Sequence, residues 1–220
     1  MTRVLTHDEA KRFYDWFGRR QDSQRFYEDA ALGELIEHSD LGAAQAVFEL
    51  GCGTGWLAET LLAHHLPATA HYVALDVSTT MVELAKRSLE RFGDRVDVVR
   101  SEGNMKLDFA DGSFDRFIST YVLDLLSVED IELALQEAGR ILRRGGLLSL
   151  ASLTHGATIP ARLIERMWLG VHSLRPSLVG GCRPVSLTTF VREPTWRIRH
   201  HGTVTQFGIT SEILVAEKVA

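Results

Sequence analysis

Residues 47–59 decide the fold class, and they read VFELGCGTGWLAE. The apolar run up to Leu50 is typical of a buried parallel strand. From Trp56 onward, leucines recur at helical spacing. Between them stand three glycines at alternate positions: Gly51, Gly53 and Gly55. Strand, glycine turn and helix in this order predict the first half of a nucleotide-binding βαβ unit, in which a ligand approaches bare backbone at the start of a helix.

The glycine spacing separates two classes of ligand. A dinucleotide-binding turn has Gly-x-Gly-x-x-Gly, and its third glycine lets the helix pack closely against the strand. In this chain, Trp56 occupies the position of that third glycine. The spacing therefore disfavours a nicotinamide dinucleotide, although a chance glycine-rich turn in an ordinary α/β protein remains an alternative at this point.

The stretch from Glu49 to Gly55 matches in full the first motif of the class I S-adenosylmethionine-dependent methyltransferases, and the chain resembles that family. The resemblance implies a Rossmann-like three-layer α/β sandwich. Its sheet would have seven mostly parallel strands and end in an antiparallel hairpin, with N-terminal helices as a lid. It also implies S-adenosyl-L-methionine as cofactor, bound by the loop residues Gly51, Cys52 and Gly53, with Glu49 supporting its methionine end.

Length and composition set limits on the protein. The chain has 220 residues, which suits a single domain. Its net charge of −5 argues against a nucleic-acid partner, and we find no membrane-spanning run or signal peptide. Two cysteines do not suggest a disulfide framework. We expect a cytoplasmic monomer or homodimer that binds no metal.

We expect one domain in four parts: a helical lid (1–44), a cofactor-binding core (45–153), a substrate-side insertion (154–190) and a C-terminal hairpin (191–220). In the core we predict strands at 46–50, 71–76, 95–100, 114–120 and 147–153, with 121–124 continuing the fourth. The helix that opens at Ser127 should stop at the glycine pair 145–146. The last two strands meet near Gly208 without a helix between them, so they should be antiparallel.

Asp76 ends the second predicted strand, about 20 residues after the glycine turn, where a nucleotide fold places its ribose-binding carboxylate. One carboxylate can accept hydrogen bonds from both ribose hydroxyls. The alternative is that Asp76 only caps the next helix. The following residue, Val77, would lie against the adenine face.

Further candidates follow from the resemblance. Asn104 and Met105 stand where the family usually has Asp-Ala, and they would hold the edge of adenine through a side-chain oxygen and a backbone N–H. Thr120 and Tyr121 match the positions that meet the methionine group, and Tyr14 is a weaker candidate for the same group. Asp124 stands where many members have a histidine.

His155 follows the fifth strand at its carboxyl end, where open α/β sheets bind ligands. An imidazole accepts protons near neutral pH. Together with Asp124 it is therefore a candidate for the catalytic base, although either side chain can also be a bystander.

The expected activity is methyl transfer to an O, N, S or C nucleophile of a small, partly apolar metabolite. Two alternatives stay open: a non-catalytic protein that binds S-adenosylmethionine or S-adenosylhomocysteine, and a NAD(P)-dependent oxidoreductase. The oxidoreductase requires an all-parallel sheet.

Overall fold

The computed structural model describes Glu9, Arg12, Phe13, Asp15 and residues 25–174 and 181–220. The strands are β1 (Ala46–Leu50), β2 (His71–Asp76), β3 (Val96–Arg100), β4 (Phe114–Thr120), β5 (Leu142–Leu153), β6 (Trp196–Gln206) and β7 (Ile209–Lys218). The helices are α1 (Arg25–His38), α2 (Trp56–His64), α3 (Thr79–Leu89), α4 (Val128–Ile141) and α5 (Ile159–Leu174).

The strands form one seven-stranded sheet in the order β3-β2-β1-β4-β5-β7-β6. The first five strands are parallel to one another, while β7 runs antiparallel to both β5 and β6. The chain reverses from β6 to β7 at Gly208, as the sequence predicts. The predicted architecture is thus confirmed, and the antiparallel end contradicts the all-parallel sheet that an oxidoreductase of the dinucleotide-binding type requires.

Side chains alternate between the two faces of the sheet, as the period of two in a strand dictates. Tyr72 points to the face that α1, α2 and α3 cover, and its neighbour Val73 points to the face under α4. Fully buried Phe48 and Phe117 pack with Ile131 of α4 on that second face. These two apolar layers fix β1, β2 and β4 in register, so their carboxyl ends meet at one edge.

Two predicted boundaries are wrong. Helix α4 ends at Ile141, before the glycine pair, because Leu142 already pairs with Phe114 of β4 and Arg143 bonds Asp115, 3.3 Å away. Strand β5 therefore begins five residues early. Strand β4 does not continue past Thr120 either, since Tyr121 turns into the left-handed region with φ 54°.

Strand β6 forms one edge of the sheet, and Arg197 and Arg199 both bond Glu217 of β7 there, each at 2.8 Å. Helix α1 packs on this end of the sheet, against β5, β6 and β7. Among the described helices, none is long and apolar enough to cross a membrane.

Candidate active site

The glycine turn is fastened to the end of β2. The N–H groups of Gly51 and Cys52 both donate to the carbonyl oxygen of Leu75, at 2.7 and 3.0 Å. Gly51 has a φ of 78°, and a Cβ at this position would collide with the side chain of Val122. Only glycine combines easy access to a positive φ with the absence of a Cβ. The motif therefore places bare backbone at the carboxyl end of β1.

Asp76 holds the other side of the turn. Its Oδ2 accepts the N–H of Gly53 at 2.9 Å, and its Oδ1 accepts the N–H of Ser78 at 2.8 Å. Burial raises the pKa of Asp76, and these backbone donors partly offset that rise. Ser78, not Asp76, is the N-cap of α3, because its hydroxyl accepts the N–H of Met81. Each carboxylate oxygen retains a lone pair for a further donor.

A cleft of about 1020 Å³, open to solvent, lies beyond the turn at the carboxyl ends of β1, β2 and β4. Among the residues named from the sequence, it is lined by Gly51, Asp76, Val77, Asn104, Met105, Thr120 and Tyr121. Its apolar floor includes Leu107, Phe117, Leu125, Leu126 and Ala134. Sequence reasoning missed this floor, because a leucine that packs against a ligand has the same local pattern as one that packs in the core.

Three other motif residues lie behind the cleft rather than in its lining. Glu49 is fully buried, and it accepts a hydrogen bond from the Tyr72 hydroxyl at 3.0 Å. Burial raises the pKa of Glu49 to about 7. Cys52 is buried too, and burial raises the pKa of its thiol, which leaves it a poor nucleophile. Gly53 contributes its N–H to Asp76, so these residues act on the shape of the turn.

The loop that presents Asn104 and Met105 is held from α4. Arg140 donates to the carbonyl oxygens of Leu107 at 2.8 Å and Phe109 at 2.7 Å. Glu137 accepts the N–H of Leu107 at 2.8 Å and bonds Arg140 itself. Glu137 and Arg140 together hold a backbone N–H group and two backbone carbonyl groups of the loop. The sequence predicts only that Arg140 suits the C-terminal end of a helix, and it does not predict these contacts.

Tyr121 connects the cleft to the C-terminal hairpin. Its hydroxyl lies 2.9 Å from the Ser211 hydroxyl, and its ring meets Tyr27 of α1 edge to face, with the ring centres 5.9 Å apart. Tyr14, the other aromatic candidate, lies outside the described residues.

Asp124 is completely buried in a 3-10 turn, Leu123–Leu125, beside the cleft. Neither carboxylate oxygen has a well-aligned hydrogen-bond partner in the described part of the chain, and burial raises its pKa to about 7. The backbone carbonyl of Asp124 accepts the N–H of Arg183 at 3.0 Å. The carboxyl group does not line the cleft, so its role in catalysis stays a prediction.

His155 is exposed and does not line the cleft. Its Nδ1 lies 2.6 Å from Oε1 of Glu165 on α5, and Oε2 of Glu165 accepts the N–H of Gly156 at 2.9 Å. Burial raises the pKa of Glu165, but these two partners and the charge of Arg162 lower it, and the net shift is downward. The structure therefore gives His155 an orienting carboxylate that the sequence does not indicate. Its role as a base stays a prediction.

A mixed sheet with a glycine turn and a buried carboxylate at one cleft is typical of the Rossmann-like methyltransferase fold. A family model described as a methyltransferase domain matches residues 47–146. The chain is 34% identical over 145 residues to malonyl-[acyl-carrier protein] O-methyltransferase of Erwinia pyrifoliae, which covers 64% of this chain and 51% of that protein. A methyltransferase domain model thus matches the central part of the chain, and this relative is itself a methyltransferase.

Solved structures share the fold. The [4+2]-cyclase SpnF superposes with a TM-score of 0.74 at 17% identity, over 99% of this chain and 98% of its own. N-methyltransferase NodS from Bradyrhizobium japonicum, solved with S-adenosyl-L-homocysteine, gives 0.66 at 17% identity and 87% coverage of each chain. The chain spans about half the length of the first curated relatives it matches.

The cofactor of this family is S-adenosylmethionine, and the described residues fit it. Gly51 lines the cleft without a side chain, and Val122 fills the space that a Cβ there would need, so the turn leaves room in the cleft beside Asp76. The Asp76 carboxylate borders the cleft with an acceptor for a diol, and the floor is apolar, as a purine face requires.

Proposed function

We propose that this protein transfers a methyl group from S-adenosylmethionine to an O, N, S or C nucleophile of a small, partly apolar metabolite. The observation that carries the proposal is that the backbone of Gly51 and the carboxylate of Asp76 line the same cleft. Asp76 would accept both ribose hydroxyls, and charge-assisted bonds of this kind contribute roughly 1.5–3 kcal/mol each. Glu49, Cys52 and Gly53 would keep the turn in shape.

The chain would then act mainly by alignment. The bound sulfonium supplies an electrophilic methyl group, which needs only an in-line nucleophile. Alignment of two reactants contributes roughly 7–11 kcal/mol at its upper range. Thr120 and Tyr121, at the end of β4, would position the methionine end. Val77, Asn104 and Met105 would fix adenine.

Calorimetry with S-adenosylmethionine, S-adenosylhomocysteine and NAD tests the binding half of the proposal. We expect micromolar affinity for the first two and none for NAD. Binding of NAD with no affinity for either adenosyl compound would refute it.

The second candidate is a non-catalytic binder of S-adenosylmethionine or its product. One observation favours it: neither His155 nor the Asp124 carboxyl lines the cleft. A screen of small metabolites for formation of S-adenosylhomocysteine separates the two, because a binder would produce none with any acceptor.

A further inference from the structure

Residues 181–185 come after α5 in the chain and lie against the carboxyl edge of the sheet; we call them the strap. The carbonyl oxygen of Cys182 accepts the indole N–H of Trp168 on α5 at 2.9 Å. The N–H of Val185 donates to the carbonyl oxygen of Leu153, the last residue of β5, at 2.8 Å. The strap is thus fixed to α5 at one end and to β5 at the other, and Arg183 lies between these two points.

Arg183 joins the strap to the wall of the cofactor cleft. Its backbone N–H donates to the carbonyl oxygen of Asp124 at 3.0 Å, and its guanidinium Nη2 donates to the carbonyl oxygen of Leu126 at 2.6 Å. Leu125, between these two acceptors, lines the cleft, and so does Leu126. One residue therefore holds the backbone on both sides of Leu125, and one of its two hydrogen bonds has a charged donor, which makes it strong.

The guanidinium of Arg183 is partly withdrawn from water beside a carboxyl group. Its Nε is buried and has no hydrogen-bond partner among the described residues. Burial lowers the pKa of Arg183, and the negative charge of Asp124 acts against that effect. Removal of this cation would leave the Leu126 carbonyl without its donor and the fully buried Asp124 without a compensating charge.

The turn that Arg183 holds gives the cleft part of its shape. Tyr121 has a φ of 54°, so the chain leaves the direction of β4 at once. The side chain of Val122 then fills the space beside Gly51, while Leu125 and Leu126 form part of the apolar floor. The position of this turn therefore sets the room between the glycine turn and the floor.

We propose that Arg183 is a positioning residue for the cofactor: it holds Leu125 and Leu126 in their binding arrangement without touching the ligand. Arg183 does not itself line the cleft, so its effect on binding passes through the turn. This inference rests on the proposed function, and it gives the strap, which lies outside the glycine turn and the strand ends, a part in cofactor binding.

A matched pair of arginine substitutions tests this role with S-adenosylhomocysteine as the probe. Arg95 is also partly buried and also donates to backbone carbonyls, those of Pro67 and Ala70, but it lies at the amino end of β3, away from the cleft. In calorimetry, Arg183→Met should raise the dissociation constant at least fivefold, and Arg95→Met should leave it unchanged. Arg183→Lys, which keeps a charged donor, should recover part of the affinity.

Urea denaturation of each variant separates a loss of stability from a loss of binding, since both methionine variants should be less stable than the wild type. If Arg183→Met does not fold, Arg183→Lys is compared with Arg95→Lys and should still bind more weakly. Unchanged affinity in the Arg183 variant, or the same loss in its Arg95 counterpart, would overturn the positioning role alone. Failure of the wild type to bind S-adenosylhomocysteine would overturn the proposed function and this role with it.

Discussion

The carboxylate of Asp76, at the end of β2, accepts the N–H of Gly53 at 2.9 Å and thereby ties the end of this strand to the glycine turn. Its second oxygen holds the start of α3 through Ser78. One side chain therefore sets the shape of the turn while it faces the cleft.

Replacement of Asp76 should weaken cofactor binding in two ways, because it removes the proposed acceptor for the ribose and also a support of the glycine turn. Asp76→Ala should weaken S-adenosylhomocysteine binding by about 2 kcal/mol or more, at least ~30-fold, measured by titration calorimetry. Asp76→Asn, which keeps one oxygen acceptor, should fall between. Asp97→Asn on the exposed side of β3 is the control and should bind normally. An unchanged dissociation constant for Asp76→Ala would remove the ribose assignment.

Gly51→Ala should lower cofactor affinity at least tenfold. A non-glycine residue in the left-handed region costs roughly 1–2 kcal/mol, and here the new methyl group also meets Val122. The matched control is Gly33→Ala on α1, where a Cβ meets nothing within 4 Å. That change should leave binding intact and raise the free energy of unfolding by up to about 1 kcal/mol. Chemical denaturation and calorimetry on both variants check the contrast.

Arg140→Met should raise the dissociation constant for S-adenosylhomocysteine about tenfold, because the Asn104–Met105 loop loses its anchor at Leu107 and Phe109. Arg144→Met, a change at an exposed position in the same chain region, should not. Equal affinities in the two variants would show that the loop keeps its shape without the clamp.

Glu49 should make stability depend on pH. Its pKa is about 7 in the folded protein against 4.5 for an unperturbed side chain. Between these values the folded state binds more protons than the unfolded state, so the free energy of unfolding falls as pH rises. Above about pH 7 the ionised, buried carboxylate costs the folded state up to roughly 3 kcal/mol.

Urea denaturation at pH 5 and pH 8 measures this effect. Glu49→Gln keeps the acceptor for the Tyr72 hydroxyl but cannot ionise, so it should lose less stability than the wild type over that range. Glu37→Gln, on an exposed part of α1, should behave as the wild type does. The same loss in Glu49→Gln and the wild type would exclude Glu49 as the source.

His155→Gln should reduce turnover with an acceptor that must lose a proton by about 100-fold or more, with normal binding of S-adenosylhomocysteine. Glu165→Gln should cause a smaller loss, because it only weakens the orientation of the ring. His65→Gln, exposed at the end of α2, is the control. Full activity of His155→Gln would eliminate it as the base.

The sequence predicts the bounds of β1 and β2 to the residue, because each is a buried apolar run with a glycine or an acid at its end. It also predicts the residues of the cleft that a motif contains, such as Asp76. The sequence does not predict how Glu137 and Arg140 hold the Asn104–Met105 loop, because that loop lies about 30 positions before them. It does not predict the Glu165–His155 pair either, because that pair depends on how α5 lies on the sheet. The left-handed turn at Tyr121 is equally hidden, because tyrosine has no preference for that conformation.

The edge strand β6 presents unpaired backbone groups on its outer side, and such an edge can recruit a strand from another molecule. Arg197 and Arg199, both held by Glu217, place cationic side chains along that border. An approaching copy of the same strand would bring like charges together, so the two arginines disfavour edge-to-edge pairing of two copies.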